Sequence, residues 1–109
     1  MKISELKDKQ GHVDINLKII WDKSQPEEKF GKKIKAVIVA DADSVEGDPT
    51  AYLDLYNEDI ELYKHGDKIR VTDAYSKLIQ NNKEEKQYRL TNVKSIELIE
   101  SGNNKKNGM

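Results

Sequence analysis

Where apolar and polar positions alternate along this chain, they do so with a period of two. Val13, Ile15, Leu17 and Ile19 alternate with His12, Asp14, Asn16 and Lys18, as in a strand that lays one face on a core. Trp21 closes that run on the inward parity, where edge packing and ligand contact are equally open roles. Residues 22–33, with Pro26 and Gly31, read as a hairpin loop. Ile34 to Ala40 is nearly continuous in apolar residues and predicts a central strand. Residues 43–50 carry turn chemistry. Beyond them Ala51, Leu53 and Leu55 point one way, while Tyr52, Asp54 and Tyr56 point the other.

Asn57 predicts the N-cap of a short helix through Lys64, with Ile60 and Tyr63 three apart and Gly66 ending it. In the next strand Ile69 and Val71 face inward and Lys68, Arg70 and Thr72 outward. That strand ends at Tyr75, and residues 76–86 make a second long hairpin loop. Tyr88 and Leu90 face the core from a last strand, which Val93, Ile96, Leu98 and Ile99 continue across a bulge. Ile3 and Leu6, three apart, suggest a short turn covering one end of the core. Residues 1–100 form one domain, and the tail 101–109 has nothing to bury and is expected to be disordered.

Five strands with a short helix between the third and fourth describe an all-β domain. The order is that of a five-stranded Greek-key barrel of the OB type, whose strand 2–3 face and two long hairpin loops bind oligonucleotides or oligosaccharides. An SH3-type barrel places the helix and the first hairpin less naturally.

Composition narrows the function. With 109 residues the chain suits one domain with a modest core, and 36% apolar against 36% charged residues means a heavily solvated surface. No cysteine is present, which excludes disulfides and thiolate chemistry. No apolar run reaches membrane-spanning length and no signal-peptide core follows Met1, so a soluble, cytoplasmic protein is expected. The net charge of −1 is awkward for a polyanion binder. The charges are segregated, however. Lys29, Lys32, Lys33 and Lys35 form one basic stretch, and Lys77, Lys83, Lys86 and Arg89 another, diluted by Glu84 and Glu85. Acids gather at 41–48 and 58–61. A basic groove is therefore compatible with a nearly neutral protein.

Chemistry is sparse. Counted from Asp41, the glycine and glutamate places of a calcium loop hold Glu46 and Tyr52, so the acidic stretch reads as a turn. His12 and His65 stand apart without cysteine, which disfavours zinc. There is no phosphate loop, nucleophile elbow or metalloprotease helix. No cofactor and no catalytic residue is expected.

The aromatics carry the remaining signal, since a base stacked on a ring gains roughly 1–3 kcal/mol whatever its sequence. Tyr56 lies opposite Leu53 and Leu55, which favours exposure. Tyr75 shares the parity of Ile69 and Val71, so a bulge or strand end is needed to expose it. Against both stands the reading of tyrosine as a good strand residue with a polar tip. Phe30 sits among lysines, open to ligand contact or to anchoring its loop. Tyr52 and Asp54 share the face of Tyr56, and an aspartate there repels phosphate but can accept hydrogen bonds from base amino groups. Lys32, Lys33, Lys35, Lys77 and Arg89 are candidate phosphate contacts, with an ordinary solvated surface as the alternative.

Taken together, Ile-Ser-Glu-Leu-Lys (3–7), Lys-Phe-Gly-Lys-Lys (29–33), Val-Ala-Asp-Ala-Asp (39–43), Gly-Asp-Pro-Thr (47–50), Leu-Asp-Leu-Tyr-Asn-Glu-Asp-Ile (53–60) and Gly-Asp-Lys-Ile-Arg-Val-Thr-Asp-Ala-Tyr (66–75) resemble archaeal single-stranded DNA-binding proteins with a single OB fold. These are related to replication protein A and to the eukaryotic sensor-of-single-stranded-DNA subunit. The likeness spans about residues 3–100. It implies stacking of bases on Tyr56 and Tyr75 and at a third position near Ile79, where relatives often place an aromatic. Trp21 and Phe30 compensate for the smaller Ile79. It also implies a monomer that protects single-stranded DNA in replication or repair, with replication and repair proteins as further partners and no membrane. The alternatives are an OB domain for single-stranded RNA and a protein-interaction subunit of a replication-protein complex.

Overall fold

The alternating segments become strands because each can bury one face only by pairing edge to edge and curling around its own apolar side chains. The computed structural model describes residues 1–45, 47–81 and 86–102. After a 3-10 turn, Ile3–Glu5, its strands are β1 (Gln10–Trp21), β2 (Glu27–Lys29), β3 (Lys32–Asp41), β4 (Thr50–Tyr56), β5 (Lys68–Asn81), β6 (Lys86–Thr91) and β7 (Ser95–Glu100). One helical turn, α1 (Asp59–Leu62), separates β4 from β5.

The strand order β1-β3-β4-β6-β5 closes by pairing of β5 with β1. All pairings are antiparallel except β4 with β6. That is a closed five-stranded barrel of OB topology, as the sequence predicts. Two short strands are added to it: β2 pairs with the start of β3, and β7 pairs with the first half of β5.

The core is the inward parity read from the sequence. Val13, Leu17, Val37, Val39, Leu53, Leu55, Ile69, Val71 and Leu90 are fully buried. Ile3 and Leu6 seal one end, where the backbone N–H of Ile3 donates to Asp41 Oδ1 at 2.8 Å. Asp48 Oδ2 accepts from Val45 N, so of these two acids Asp48 serves the turn and Asp41 holds the N-terminal segment. At the other end of β4, Ile60 is buried and Tyr63 packs beside it, its hydroxyl donating to the Ile96 carbonyl.

Several expectations are corrected. Asn57 does not cap a helix through Lys64. Its backbone is left-handed (φ 49°) and its Oδ1 accepts the backbone N–H of Lys33. Helical geometry is confined to Asp59–Leu62. The long 76–86 loop is mostly strand, because Leu78 pairs with Tyr88 and the β5–β6 ribbon runs on to Asn81 and Lys86. The last strand is two: the chain turns at Asn92 (φ 51°), so β6 and β7 occupy successive stretches of one β5 edge. Val93 and Ile96 pack on the core, whereas Leu98 and Ile99 stay about half exposed.

Within the predicted tail, Ser101 and Gly102 are half-buried and Gly102 N donates to Asp67 Oδ1. Residues 103–109, like Lys83, Glu84 and Glu85, lie outside the described residues. Among the described residues no helix is long and apolar enough to cross a membrane.

Candidate nucleic-acid interface

Residues directly opposite each other in paired strands point to the same side of a sheet, so the register lays out the outer face row by row. One row runs Trp21 (β1), Ile38 (β3), Tyr52 (β4), Arg89 (β6) and Lys77 (β5). Another contains Ile34 opposite Tyr56, and Thr91 opposite Tyr75. Between them lie Ala36 and Asp54.

Two bulges set this arrangement. In β1 the register shifts between Ile19 and Trp21, which moves Trp21 off the inward parity of strict alternation and opposite Ile38, 39% exposed. In β5 the inward set passes from Val71 to Ala74 and Ser76 across a left-handed Asp73 (φ 54°). The extra residue reverses the parity, and Tyr75 comes out on the face of Tyr56. This is the bulge that the sequence requires if Tyr75 is to be exposed.

The Tyr56 ring is fixed. Its hydroxyl shares a 2.7 Å hydrogen bond with Thr91 Oγ1 and accepts the Asn92 backbone N–H at 3.2 Å. Thr91 is also the register partner of Tyr75, so one threonine stands between the two tyrosines. Sequence reasoning missed Thr91 and Asn92, because the β4–β6 pairing that brings them to Tyr56 is parallel and non-local. Tyr52 was legible from parity.

Asp54 is 4% exposed although its parity is outward. Arg89 covers it, with Nη2 2.6 Å from Oδ1 and Nε donating to Oδ1 and Oδ2 at 2.9 and 3.0 Å. The bond to Asp54 also raises the Arg89 pKa above its ordinary value. Asp54 thus presents little negative charge, and the guanidinium predicted for phosphate is committed to a carboxylate.

The remaining predicted residues divide. Lys77 is exposed in the first row, beside Arg89. Lys32 is exposed and shares the outward parity of Ile34. Lys33 and Lys35 do not: strand alternation sends them to the other side, and Lys35 opposes the inward Leu55. The Asp22 carboxyl has its pKa lowered chiefly by the backbone N–H of His65, and to a smaller extent by the charge of nearby Lys35. The expected basic track from Lys29 to Lys35 is therefore split by the pleat. Ile79 is exposed at a second β5 bulge, between Leu78 and Gln80.

Phe30 is 100% exposed, at the tip of the β2–β3 hairpin. It anchors nothing, which removes the loop-anchoring reading. A cavity of about 770 Å³ lies off the aromatic rows, between the N-terminal turn and the 47–50 loop, and is lined by Ile3, Leu6, Lys7, Pro49 and Tyr88 among others.

No model of a known protein family matches this chain, and no curated protein is significantly similar to it.

Proposed function

We propose that this OB barrel is a non-enzymatic module that binds single-stranded DNA with little sequence preference. The observation that carries the reading is the presence of Tyr56 and Tyr75 on one outer face, either side of Thr91. Two flat rings on one surface suit successive bases, which offer a π-face whatever their identity. Trp21 and Tyr52 widen the platform, and Lys32 and Lys77 flank it for the phosphates. Asp54, neutralised by Arg89, repels the backbone little. A protein of this kind protects exposed strands during replication or repair in the cytoplasm, acting as a monomer beside the nucleoid.

The test is a fluorescence titration with a mixed-sequence single-stranded DNA oligomer at low and high salt. Saturable quenching, weakened by salt and by Tyr56→Ala, is the expected result. With only about two or three phosphates contacted, log K should fall against log salt with a slope of roughly −1.5 to −2. A matched RNA oligomer in the same titration separates ribose from deoxyribose binding.

A second reading has an observation in its favour. Arg89 is committed to Asp54, and Lys33 and Lys35 leave the face, which thins the positive charge on a chain of net charge −1. A protein-interaction subunit of a replication complex would share these features. It would bind no oligonucleotide even at low salt.

A further inference from the structure

Phe30 has no role in the aromatic rows, yet its conformation is costly. Lys29 pairs with Lys32, so Phe30 and Gly31 alone make the hairpin turn, with φ of 51° and 76°. Two left-handed residues in a two-residue loop are a type I′ turn, for which Asn-Gly is the favoured pair. A bulky aromatic at positive φ is strained and uncommon. The ring gains nothing in return from the fold, since it is wholly exposed.

The arm bearing it is a paired ribbon tied to the barrel at its base. Glu27, Glu28 and Lys29 pair with Ile34, Lys33 and Lys32. Lys33 N donates to Asn57 Oδ1 at 3.2 Å, and Asn57 N donates back to the Lys33 carbonyl at 3.0 Å. Ile34 is the β3 member of the Tyr56 row. The tip therefore projects past that row by roughly 10 Å, at about 3.3 Å per residue. Held so, the ring stands too far along the arm to sandwich a base lying on Tyr56. Lys29 and Lys32 flank the ring; Lys29 pairs with Glu27 at 3.5 Å, which leaves Lys32 beside the tip for a phosphate next to the ring.

We propose that Phe30 stacks on the terminal base pair of a duplex that adjoins the bound single strand, so that the protein prefers single-strand–duplex junctions to plain single strands. This rests on the single-strand binding proposed above. A duplex end offers a flat, apolar surface wide enough for a ring with both faces open. A strand leaving the platform past Tyr56 and Ile34 would bring such an end to the arm.

The test compares the affinity for one mixed-sequence DNA oligomer, alone and as the tail of a short DNA hairpin, with tails of either polarity. A fluorescent adenine analogue placed in the last base pair reports stacking on the duplex end. The wild type should bind the tailed hairpin of one polarity about tenfold more tightly than the bare strand. Phe30→Asn, which suits the turn better, should hold or raise the melting temperature and abolish both the preference and the fluorescence change. Affinity for the bare strand should be unchanged. Equal loss on both ligands would make Phe30 an ordinary single-strand contact and overturn the duplex-end stacking. So would a wild type without junction preference, or a Phe30→Asn variant that keeps that preference. Failure of single-strand binding itself would show as no affinity for the bare oligomer, and would sink the reading beneath it.

Discussion

Asp14 Oδ1 accepts the backbone N–H of Asp73 at 2.8 Å, and this bond holds the bulge that turns Tyr75 outward. Asp73 is left-handed, as is His12 on the opposing strand, whose Nδ1 lies 2.8 Å from Asp73 Oδ1. Two facing irregularities are thus tied together by side chains of β1 and β5. Without them Tyr75 would keep the parity of Val71 and enter the core.

Asp14→Ala should therefore cost about 1 kcal/mol of stability, the usual worth of an intramolecular hydrogen bond. It should also weaken binding of single-stranded DNA. The sign is informative, because deleting an acid strengthens attraction to a polyanion if charge alone matters. Urea denaturation and the fluorescence titration on one preparation check both halves. Tighter binding by Asp14→Ala would mean that the bulge does not govern the site.

Tyr56→Phe keeps the ring and removes the hydroxyl that joins Thr91 and Asn92. Stability should fall by about 1 kcal/mol. Affinity should fall less than for Tyr56→Ala, where a whole stacking partner worth roughly 1–3 kcal/mol is lost. Equal affinities for Phe and Ala would show that orientation, not ring area, decides binding.

These two contacts mark what the sequence could carry. The core was legible because each strand's inward set, such as Val13, Leu17 and Leu53, is a local period-two pattern. The outward parity of Tyr52, Asp54 and Tyr56 came with it. The bulge in β5 could be required from the position of Tyr75, but the one beside Trp21 could not be placed, since Ile19, Ile20 and Trp21 are all apolar and leave the parity of each undecided. Arg89 and Asp54 are 35 residues apart in sequence, and only the parallel β4–β6 pairing shows that they neutralise each other. The lysine run from 29 to 35 misled because charge was read along the chain, while a pleat divides neighbours between two faces.

Asp22 offers a pH test. Its Oδ2 accepts the backbone N–H of His65 at 3.0 Å, tying the end of β1 to the turn before β5, and this bond holds its pKa below 3.8. A carboxyl with a depressed folded pKa stabilises fully above its unfolded value, and that stability is lost as the pH falls through the folded value. The stability gap between wild type and Asp22→Ala should be constant from neutrality down to about pH 5. It should then close as the pH falls past 3.8. Thermal melts of both proteins across that range check it, and a gap that widens in acid would contradict the assignment.

Arg89 and Asp54 allow the last separation, between holding the face together and holding phosphate. Arg89→Met leaves a nearly buried carboxylate unpaired, which should destabilise the barrel by about 2–4 kcal/mol, below the cost at a fully buried pair because Arg89 is partly exposed. Asp54→Leu added to it removes the orphaned charge, and the double variant should recover most of the loss, as buried pairs replaced by apolar residues often do. If Arg89 serves Asp54 alone, the double variant binds single-stranded DNA like the wild type, with the same salt slope. A slope shallower by about 0.7 would instead mean that the guanidinium neutralises one phosphate while paired to Asp54.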